Sequence, residues 1–370
     1  MNRSLRVYFA AIFIQAFVAL GVIRPAFSTE LFAEVGETTT FNSNIYFDDS
    51  KEWDLVLSPN ASLDLELGRL YGLGYSGQVS IFPRHSDLLF HVHSLYFLIN
   101  PTWGEDNENE LVVDLSATTH RNTDTFADVN LIEPMLFLSL NLSPYHWLSW
   151  SLSETVSYRW FYDNTISDAL TTWSRGDVTF TAPTRTTIAP RIVFGLRHYP
   201  RETLSDRTDH QLRAGLRLSQ NLSEGVGLRL DYAYIHAFDD SVLTRRNVDA
   251  LTFHYIGEDF LFTGHQTHAG WKMVLDNGFS ADASLQFEYR RYGGWPVRDE
   301  LGVATTKTRT DRALAPSVLL AYQISPSESA SPAVPGLKIT LQYTFVRNWS
   351  NDDWYDTNRH LASLGLTLDW

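Results

Sequence analysis

The segment HLASLGLTLDW (His360–Trp370) places an apolar residue at every second position, at Leu364, Leu366, Leu368 and Trp370. Small or polar residues fill the positions between them. Because successive side chains of a strand point to opposite faces, this spacing predicts a strand with one apolar face and one polar face. An apolar edge of this kind is a liability in a soluble protein. The pattern therefore raises the expectation that a neighbouring strand closes this edge.

The same alternation recurs along the chain, at intervals of roughly twenty residues. Three clear examples are GVGLRLDYAYIHAF (225–238), FSADASLQFEYRRY (279–292) and PGLKITLQYTFVRN (335–348). These runs are about twice the ~5–6 residues of a typical strand. A dyad repeat of this length, with one apolar and one wet face, is typical of a transmembrane β-barrel. Aromatic residues toward the ends of the apolar faces predict girdles at the two membrane interfaces.

Turn-rich polar clusters divide the chain into sixteen predicted strands. They cover residues 31–46, 53–67, 70–82, 88–102, 109–121, 128–142, 147–162, 172–183, 186–199, 208–222, 225–239, 260–276, 278–292, 309–324, 335–349 and 358–370. The predicted fold is all-β, a closed antiparallel barrel with both termini in the periplasm. Three strands are poorly patterned, so a barrel of fourteen strands is the alternative. The connection at 240–259 is long enough to dip partway into the lumen.

The N-terminus has the layout of a secretory signal peptide. Arginines precede a long apolar run, and Ala26-Phe27-Ser28 offers small residues for cleavage. We expect residues 1–28 to be a cleaved signal peptide and residues 29–370 to form the barrel, with an uncleaved signal anchor as the alternative. The remaining chain has no apolar run of the ~20 residues that a membrane helix needs.

Charge and cysteine content exclude several classes of protein. The full chain has 29 basic and 43 acidic residues, and its first 28 residues hold three of the basic ones and no acidic one. So acidic a chain is a poor ligand for nucleic acid, whose binding depends on neutralised phosphates. There are no cysteines, which excludes disulfides and thiolate metal sites.

The C-terminal strand ending in Trp370 resembles the assembly signal of bacterial outer-membrane β-barrels. The resemblance implies a porin-like barrel in the bacterial outer membrane, inserted by the barrel-assembly machinery. A second resemblance is narrower. The segments TFNSNIYFDDSKEWDLVLSPNASLDLEL (40–67) and RLYGLGYSG (69–77) are similar to the opening of porin-like barrels that accompany exopolysaccharide export systems. It implies periplasmic export partners.

Charged residues on the predicted wet face are the candidate functional residues. A basic wall on three consecutive strands comprises Arg191, Arg197, Arg213, Arg217 and Arg229, and an acidic wall comprises Asp64, Glu66 and Asp114. In a sixteen-strand ring the two groups lie on roughly opposite sides, where opposed charges filter polar solutes. The arginines could instead brace the barrel by pairing with Asp231, Asp282 or Glu288.

Other motifs do not support catalysis or cofactor binding. His91 and His93 share a strand face at a spacing that can bind a metal, but the sequence places no third ligand near them. GLGYSG (72–77) matches a dinucleotide-binding pattern, but dinucleotide binding requires a helix to begin at this point. The strand-like alternation continues through the segment instead. The His85-Ser86 and His93-Ser94 pairs point to opposite strand faces, which does not suit a nucleophile and its base.

The sequence thus predicts an outer-membrane channel for passive passage of polar solutes through a water-filled, charged lumen. It predicts no cofactor, no metal and no enzymatic step. Three alternatives stay open: a barrel component of an exopolysaccharide or other secretion system, a structural scaffold barrel that holds a partner, and an outer-membrane lipid-modifying enzyme.

Overall fold

The structure is a computed structural model of the chain. The structure describes residues 29–45, 52–68, 70–85, 88–104, 108–123, 127, 129–164, 168–200, 207–238, 260, 262–298, 304–324 and 336–369. The predicted signal peptide at 1–28, the segment 240–259 and Trp370 lie outside these residues. Within the described part of the chain, no helix has the length and apolar character that a membrane crossing requires.

One antiparallel sheet contains nearly all of the described residues. Its strands are β1 (Thr29–Asn42), β2 (Asp54–Leu67), β3 (Tyr71–Ser80), β4 (Phe90–Ile99), β5 (Thr102–Trp103), β6 (Asn109–Asn122), β7 (Leu131–Tyr145), β8 (Leu148–Phe161), β9 (Ala169–Thr181), β10 (Thr186–Tyr199), β11 (Arg207–Ser223), β12 (Val226–Ala237), β13 (Thr263–Val274), β14 (Phe279–Arg298), β15 (Ala304–Ile324), β16 (Gly336–Ser350) and β17 (Thr357–Asp369). A short 3-10 helix, Asp353–Tyr355, precedes β17.

The sheet closes on itself. Each long strand pairs with its neighbours in sequence, and β1 pairs with β17 from Glu34↔Asp369 to Asn42↔Leu361. Sixteen strands are long, and the two-residue β5 continues the edge of β4 against β6. The closed sixteen-strand barrel is therefore confirmed, and the fourteen-strand alternative is wrong. An even number of strands puts the start of β1 and the end of β17 at the same end of the barrel.

The two ends of the barrel differ in their connections. The end that carries the start of β1, here called the turn end, has tight connections such as those between β11 and β12 and between β13 and β14. Gly225 and Gly278 adopt φ of +73° and +82° in these two turns. A Cβ on Gly225 would lie 2.2 Å from the Val274 carbonyl oxygen, so only glycine fits there. The opposite end, here called the loop end, carries the connection between β12 and β13.

Strands β14 and β15 extend furthest beyond their predicted bounds. Strand β14 continues past Tyr292 to Arg298, and β15 begins at Ala304, so part of the predicted loop is a strand hairpin. The register shifts between Tyr292 and Pro296, which hid the alternation from the sequence pattern. Strand β4 ends at Ile99 because Pro101, two residues further on, has no N–H to donate to a ladder.

Apolar side chains cover the outer face of the barrel. In β17, Leu364, Leu366 and Leu368 are 51%, 48% and 36% exposed, as a strand facing lipid requires. The register extends this row around the barrel, since Leu364 lies opposite Leu341 of β16, which lies opposite Leu320 of β15. The alternate residues, such as Ser363 and Thr340, face the lumen.

Candidate functional site

The lumen face contains the candidate site, and cross-strand register assigns each residue to it. Residues directly opposite each other in an antiparallel pair project to the same face. Asp177 lies opposite Arg191, Arg191 lies opposite Gly215, and Arg217 lies opposite Asp231. Following such pairs around the ring places all eight predicted wall residues on the lumen face.

Two aspartates organise the turn-end half of the basic wall. Asp177 of β9 accepts hydrogen bonds from Arg191 (Nε to Oδ1, 2.5 Å) and from Arg175. Asp231 of β12 accepts from Arg217 (Nε to Oδ1, 2.7 Å) and from Arg229. Each carboxylate thus holds two guanidinium groups and leaves a net positive charge. The predicted pairing of Asp231 with wall arginines is observed, whereas Asp177 was missed as a partner.

A recess of about 440 Å³ lies along this wall. Arg191, Arg217, Arg229 and Asp231 line it together with Gln266, His268 and Gln286. Amide and imidazole groups therefore continue the hydrogen-bonding surface onto β13 and β14. A polar solute in the recess would meet cations and neutral donors at the same depth.

Closer to the loop end, the basic wall forms an aromatic stack. The ring of Trp173 lies flat over Gly195, where a Cβ would come within 2.2 Å of the indole. Arg213 lies 4.6 Å from the centroid of the Trp173 ring, and its Nε donates to Gln211 Oε1 at 2.6 Å. Cation–π contact of this kind holds the guanidinium group against the indole.

The end of the β12–β13 connection completes this stack. Phe260 precedes β13 by three residues, yet its ring centroid lies 4.6 Å from that of Trp173, four strands away around the ring. Phe260 also contacts Arg197, whose guanidinium carbon lies 4.5 Å from the centroid of the Phe260 ring. Both partners face the lumen, so Phe260 reaches them across the loop-end opening and narrows it. The cluster of Trp173, Arg197, Arg213 and Phe260 is here called the constriction.

On the acidic wall, Asp64 and Glu66 of β2 lie across the ring from the basic wall, and Asp114 of β6 lies between β2 and the basic wall. Strands β2 and β11 are eight positions apart in the ring of sixteen long strands. Tyr96 lies across Gly74 and donates its hydroxyl to Asp64. Within the described structure, no arginine or lysine pairs with Asp64, Glu66 or Asp114, and one oxygen of Asp114 is buried without a hydrogen-bond partner. The register adds Glu30 and Glu34 of β1 to this wall.

A histidine links two connections at the loop end. His85 lies between β3 and β4, with Nδ1 at 3.0 Å from Asp54 Oδ2 and Nε2 at 2.7 Å from Glu52 Oε2. Burial of the imidazole favours its neutral form, but the hydrogen bonds to the two carboxylates outweigh burial and raise the pKa of His85. Since both ring nitrogens face carboxylates, the protonated imidazolium fits this site.

The His91–His93 pair faces outward. Their ring centroids are 5.0 Å apart, and Tyr75 Oη is hydrogen-bonded to His93 Nδ1 at 2.8 Å. Among the residues that the structure describes, no group of three histidine, aspartate or glutamate side chains could hold a metal ion. The GLGYSG segment lies within β3, so it forms a strand and opens no helix.

Sequence reasoning missed several contributors to the lumen. Asp177 and Arg175 lie two residues apart in β9, and that alternation was a usable signal. Trp173 also shares this face. Nothing in the sequence indicated that Phe260 crosses the opening, because its position depends on the path of a connection.

The closed barrel, its apolar outer face and its charged lumen define the class of transmembrane β-barrels. No family model and no curated protein matches the sequence. Among solved structures, OccAB2 of Acinetobacter baumannii matches 94% of this chain and 99% of its own, at 7% identity and a TM-score of 0.52. The outer membrane protein OprD of Pseudomonas aeruginosa matches 92% of this chain and 93% of its own, at 11% identity and a TM-score of 0.48. The likeness to OccAB2 shows a shared β-barrel fold.

Proposed function

We propose that the protein is a bacterial outer-membrane channel that lets polar solutes pass passively through its water-filled lumen. The observation that carries this proposal is the pair of oppositely charged walls across the ring. Charges of opposite sign on facing walls produce a transverse field that orients water and polar solutes. The passage needs no cofactor and no covalent step.

The proposal includes the orientation of the barrel. Residues 1–28 are removed during export, the turn end faces the periplasm, and the loop end faces outside. The outward leucines of β17 together with Trp370 serve the barrel-assembly machinery as a recognition signal. Mass spectrometry of the mature N-terminus tests the cleavage, with Thr29 as the expected first residue.

Single-channel recording in planar bilayers tests the channel itself. The purified barrel should give discrete conductance steps, and their complete absence would refute the channel and favour a closed scaffold. The double variant Arg213→Glu/Arg217→Glu should move the reversal potential in a salt gradient toward cation selectivity. Arg185→Glu, at a tight turn outside the lumen, is the matched control. An unchanged reversal potential would assign Arg213 and Arg217 to bracing of the wall.

A further inference from the structure

Three arginines on neighbouring strands face outward at the loop end, away from the lumen. They are Arg291 of β14, Arg312 of β15 and Arg347 of β16. Arg312 lies opposite Tyr289 of β14 and Trp349 of β16. Arg291 is two residues beyond Tyr289, toward the loop end. Arg347 is two residues from Trp349 in the opposite direction, so the three arginines form a diagonal row across three strands that are ~4.8 Å apart, with one strand and two residues between successive members. This row is here called the outer arginine cluster.

The charge of this cluster is largely uncompensated. Arg291 and Arg312 are exposed, and neither forms an ion pair with any described residue. Arg347 is the exception, because its Nη2 lies 2.5 Å from Asp356 Oδ1. The lumen shows the opposite behaviour, since Asp177 and Asp231 hold four of its arginines.

The strand positions that the structure describes around the cluster carry no outward carboxylate. At the regularly paired, outward-facing positions of the described strands, the register leaves two carboxylates, Glu37 and Glu154. Both lie near the middle of their strands and on other parts of the barrel, in β1 and β8. Apart from Asp356, which pairs with Arg347, the described carboxylates near the cluster, such as Glu288 and Asp311, face the lumen.

Aromatic and imidazole groups frame the cluster. His265, Tyr289, Arg312 and Trp349 form one continuous cross-strand row. Tyr232 Oη is hydrogen-bonded to His265 Nδ1 at 2.8 Å, which fixes that ring. Tyrosine and tryptophan rings in such a belt lie at the level of lipid headgroups. The arginines therefore stand where headgroups, and not acyl chains, meet the barrel.

The turn-end rim has a different chemistry. Its outward positions carry aromatic rings such as Trp150, Trp271 and Tyr322, and the register places no arginine or lysine among the outward strand positions there in the described structure. The two rims thus suit two leaflets of different headgroup charge.

We propose that the outer arginine cluster binds the phosphate groups of anionic lipids in the leaflet at the loop end. The proposal rests on the proposed membrane location. A guanidinium group offers a planar fork of donors that matches phosphate oxygens, and its charge is permanent. Lipid phosphates at the membrane surface supply negative charge that the described outward strand positions around Arg291 and Arg312 lack.

Thermal unfolding in lipid nanodiscs tests the proposal. Wild-type barrel is compared in phosphatidylcholine and in phosphatidylcholine mixed with phosphatidate of the same acyl chains. Phosphatidate should raise the wild-type midpoint by on the order of a few °C, because a ligand bound to the folded state stabilises it. Arg291→Gln/Arg312→Gln should lose most of that rise. Arg185→Gln/Lys338→Gln, which removes two charges near the turn end, should keep it.

Further measurements separate the alternatives. Arg291→Lys/Arg312→Lys should retain part of the rise, and inorganic phosphate added to phosphatidylcholine nanodiscs should give none. Equal midpoints of the wild type in both lipids would overturn the proposal even if the glutamine variant fails to fold, and so would a full rise in that variant. Conductance in neutral bilayers is recorded separately and should not change in the double variant, so this proposal can fail while the channel stands.

Discussion

The two lumen walls hold their charges in different ways. On the basic wall, Asp177 and Asp231 each bind two arginines, and cation–π contact fixes Arg213. On the acidic wall, Asp64 accepts only the Tyr96 hydroxyl among the described residues, and Asp114 has a buried oxygen without a partner. The basic wall is a cross-linked network, whereas the acidic wall is a row of separate charges.

This difference indicates two kinds of contribution. Charges in a network stabilise the strands that carry them, and removal of one partner leaves the others exposed to repulsion. Separate charges contribute little to stability, but they attract or repel ions in the lumen. Salt screening weakens this effect. The same chemical substitution should therefore have different consequences on the two walls.

The largest expected effect is on stability, from Asp177→Asn. The substitution leaves Arg175 and Arg191 facing each other without a carboxylate and should lower the free energy of unfolding by about 1–3 kcal/mol. Urea unfolding in detergent micelles measures it. Asp114→Asn is the matched control. It should leave the free energy of unfolding unchanged or raise it, because no arginine or lysine loses a counter-ion. Equal losses in both variants would contradict the comparison between the walls.

The next effect is on ion selectivity, from Asp64→Asn/Glu66→Gln/Asp114→Asn. A charge at 4 Å is worth about 1 kcal/mol in water, or roughly a factor of five in local ion concentration. The triple variant should therefore shift the reversal potential toward anions. The shift should shrink between 0.1 M and 1 M salt, where the Debye length falls from ~10 Å to ~3 Å. A shift of the same size at both concentrations would argue against action through the lumen field.

Trp173→Ala tests the constriction. Removal of the indole eliminates the stack with Arg213 and Phe260, a contact worth about 0.5–2 kcal/mol. The lumen should widen there, and the single-channel conductance should rise. Trp150→Ala, which removes an outward indole from the neighbouring strand β8, should leave conductance unchanged. A lower conductance in Trp173→Ala would show that the ring props the passage open.

The smallest effect concerns His85 at the loop end. The pKa of His85 is higher in the folded state than the value of about 6.5 expected in the unfolded state. The bonds to Asp54 and Glu52 therefore contribute fully to stability below about pH 6.5, and that contribution is lost as the pH rises through the pKa of the folded state. The wild-type thermal midpoint should therefore fall between pH 5.5 and pH 8.5 by more than that of His85→Gln. His146→Gln, in an exposed turn-end position, controls for general histidine effects. Parallel pH profiles for wild type and His85→Gln would refute the role of His85.

The barrel fold could be predicted from the sequence because the alternation of apolar and polar residues recurs along the chain. Strand β10 was predicted with its observed bounds, Thr186–Tyr199. The predictions were wrong where local chemistry breaks the period, as at the register shift beyond Tyr292 and at Pro101 after β4. A pattern of period two cannot indicate where a paired strand has lost that period.

The candidate site was less predictable, for a different reason. Alternation identifies the lumen-facing residues, so the wall arginines and carboxylates could be named from the sequence. Their partners depend on register between strands, which the sequence does not state. Arg191 reaches Asp177 because a particular register places them opposite each other. Phe260 depends on the path of a connection and has no periodic signal at all.

The seam between β1 and β17 also has a kinetic consequence. Thr40 and Ser363 share a hydrogen bond of 2.9 Å although they are 323 residues apart in the chain. Every other pairing of long strands joins strands adjacent in sequence, so hairpins can form one after another with low loop-closure entropy. The seam forms only when β1 and β17 meet from opposite ends of the chain. Because this contact has the largest sequence separation, we expect its formation to be the rate-limiting step of folding. Until then, the edges of β1 and β17 remain open to other strands.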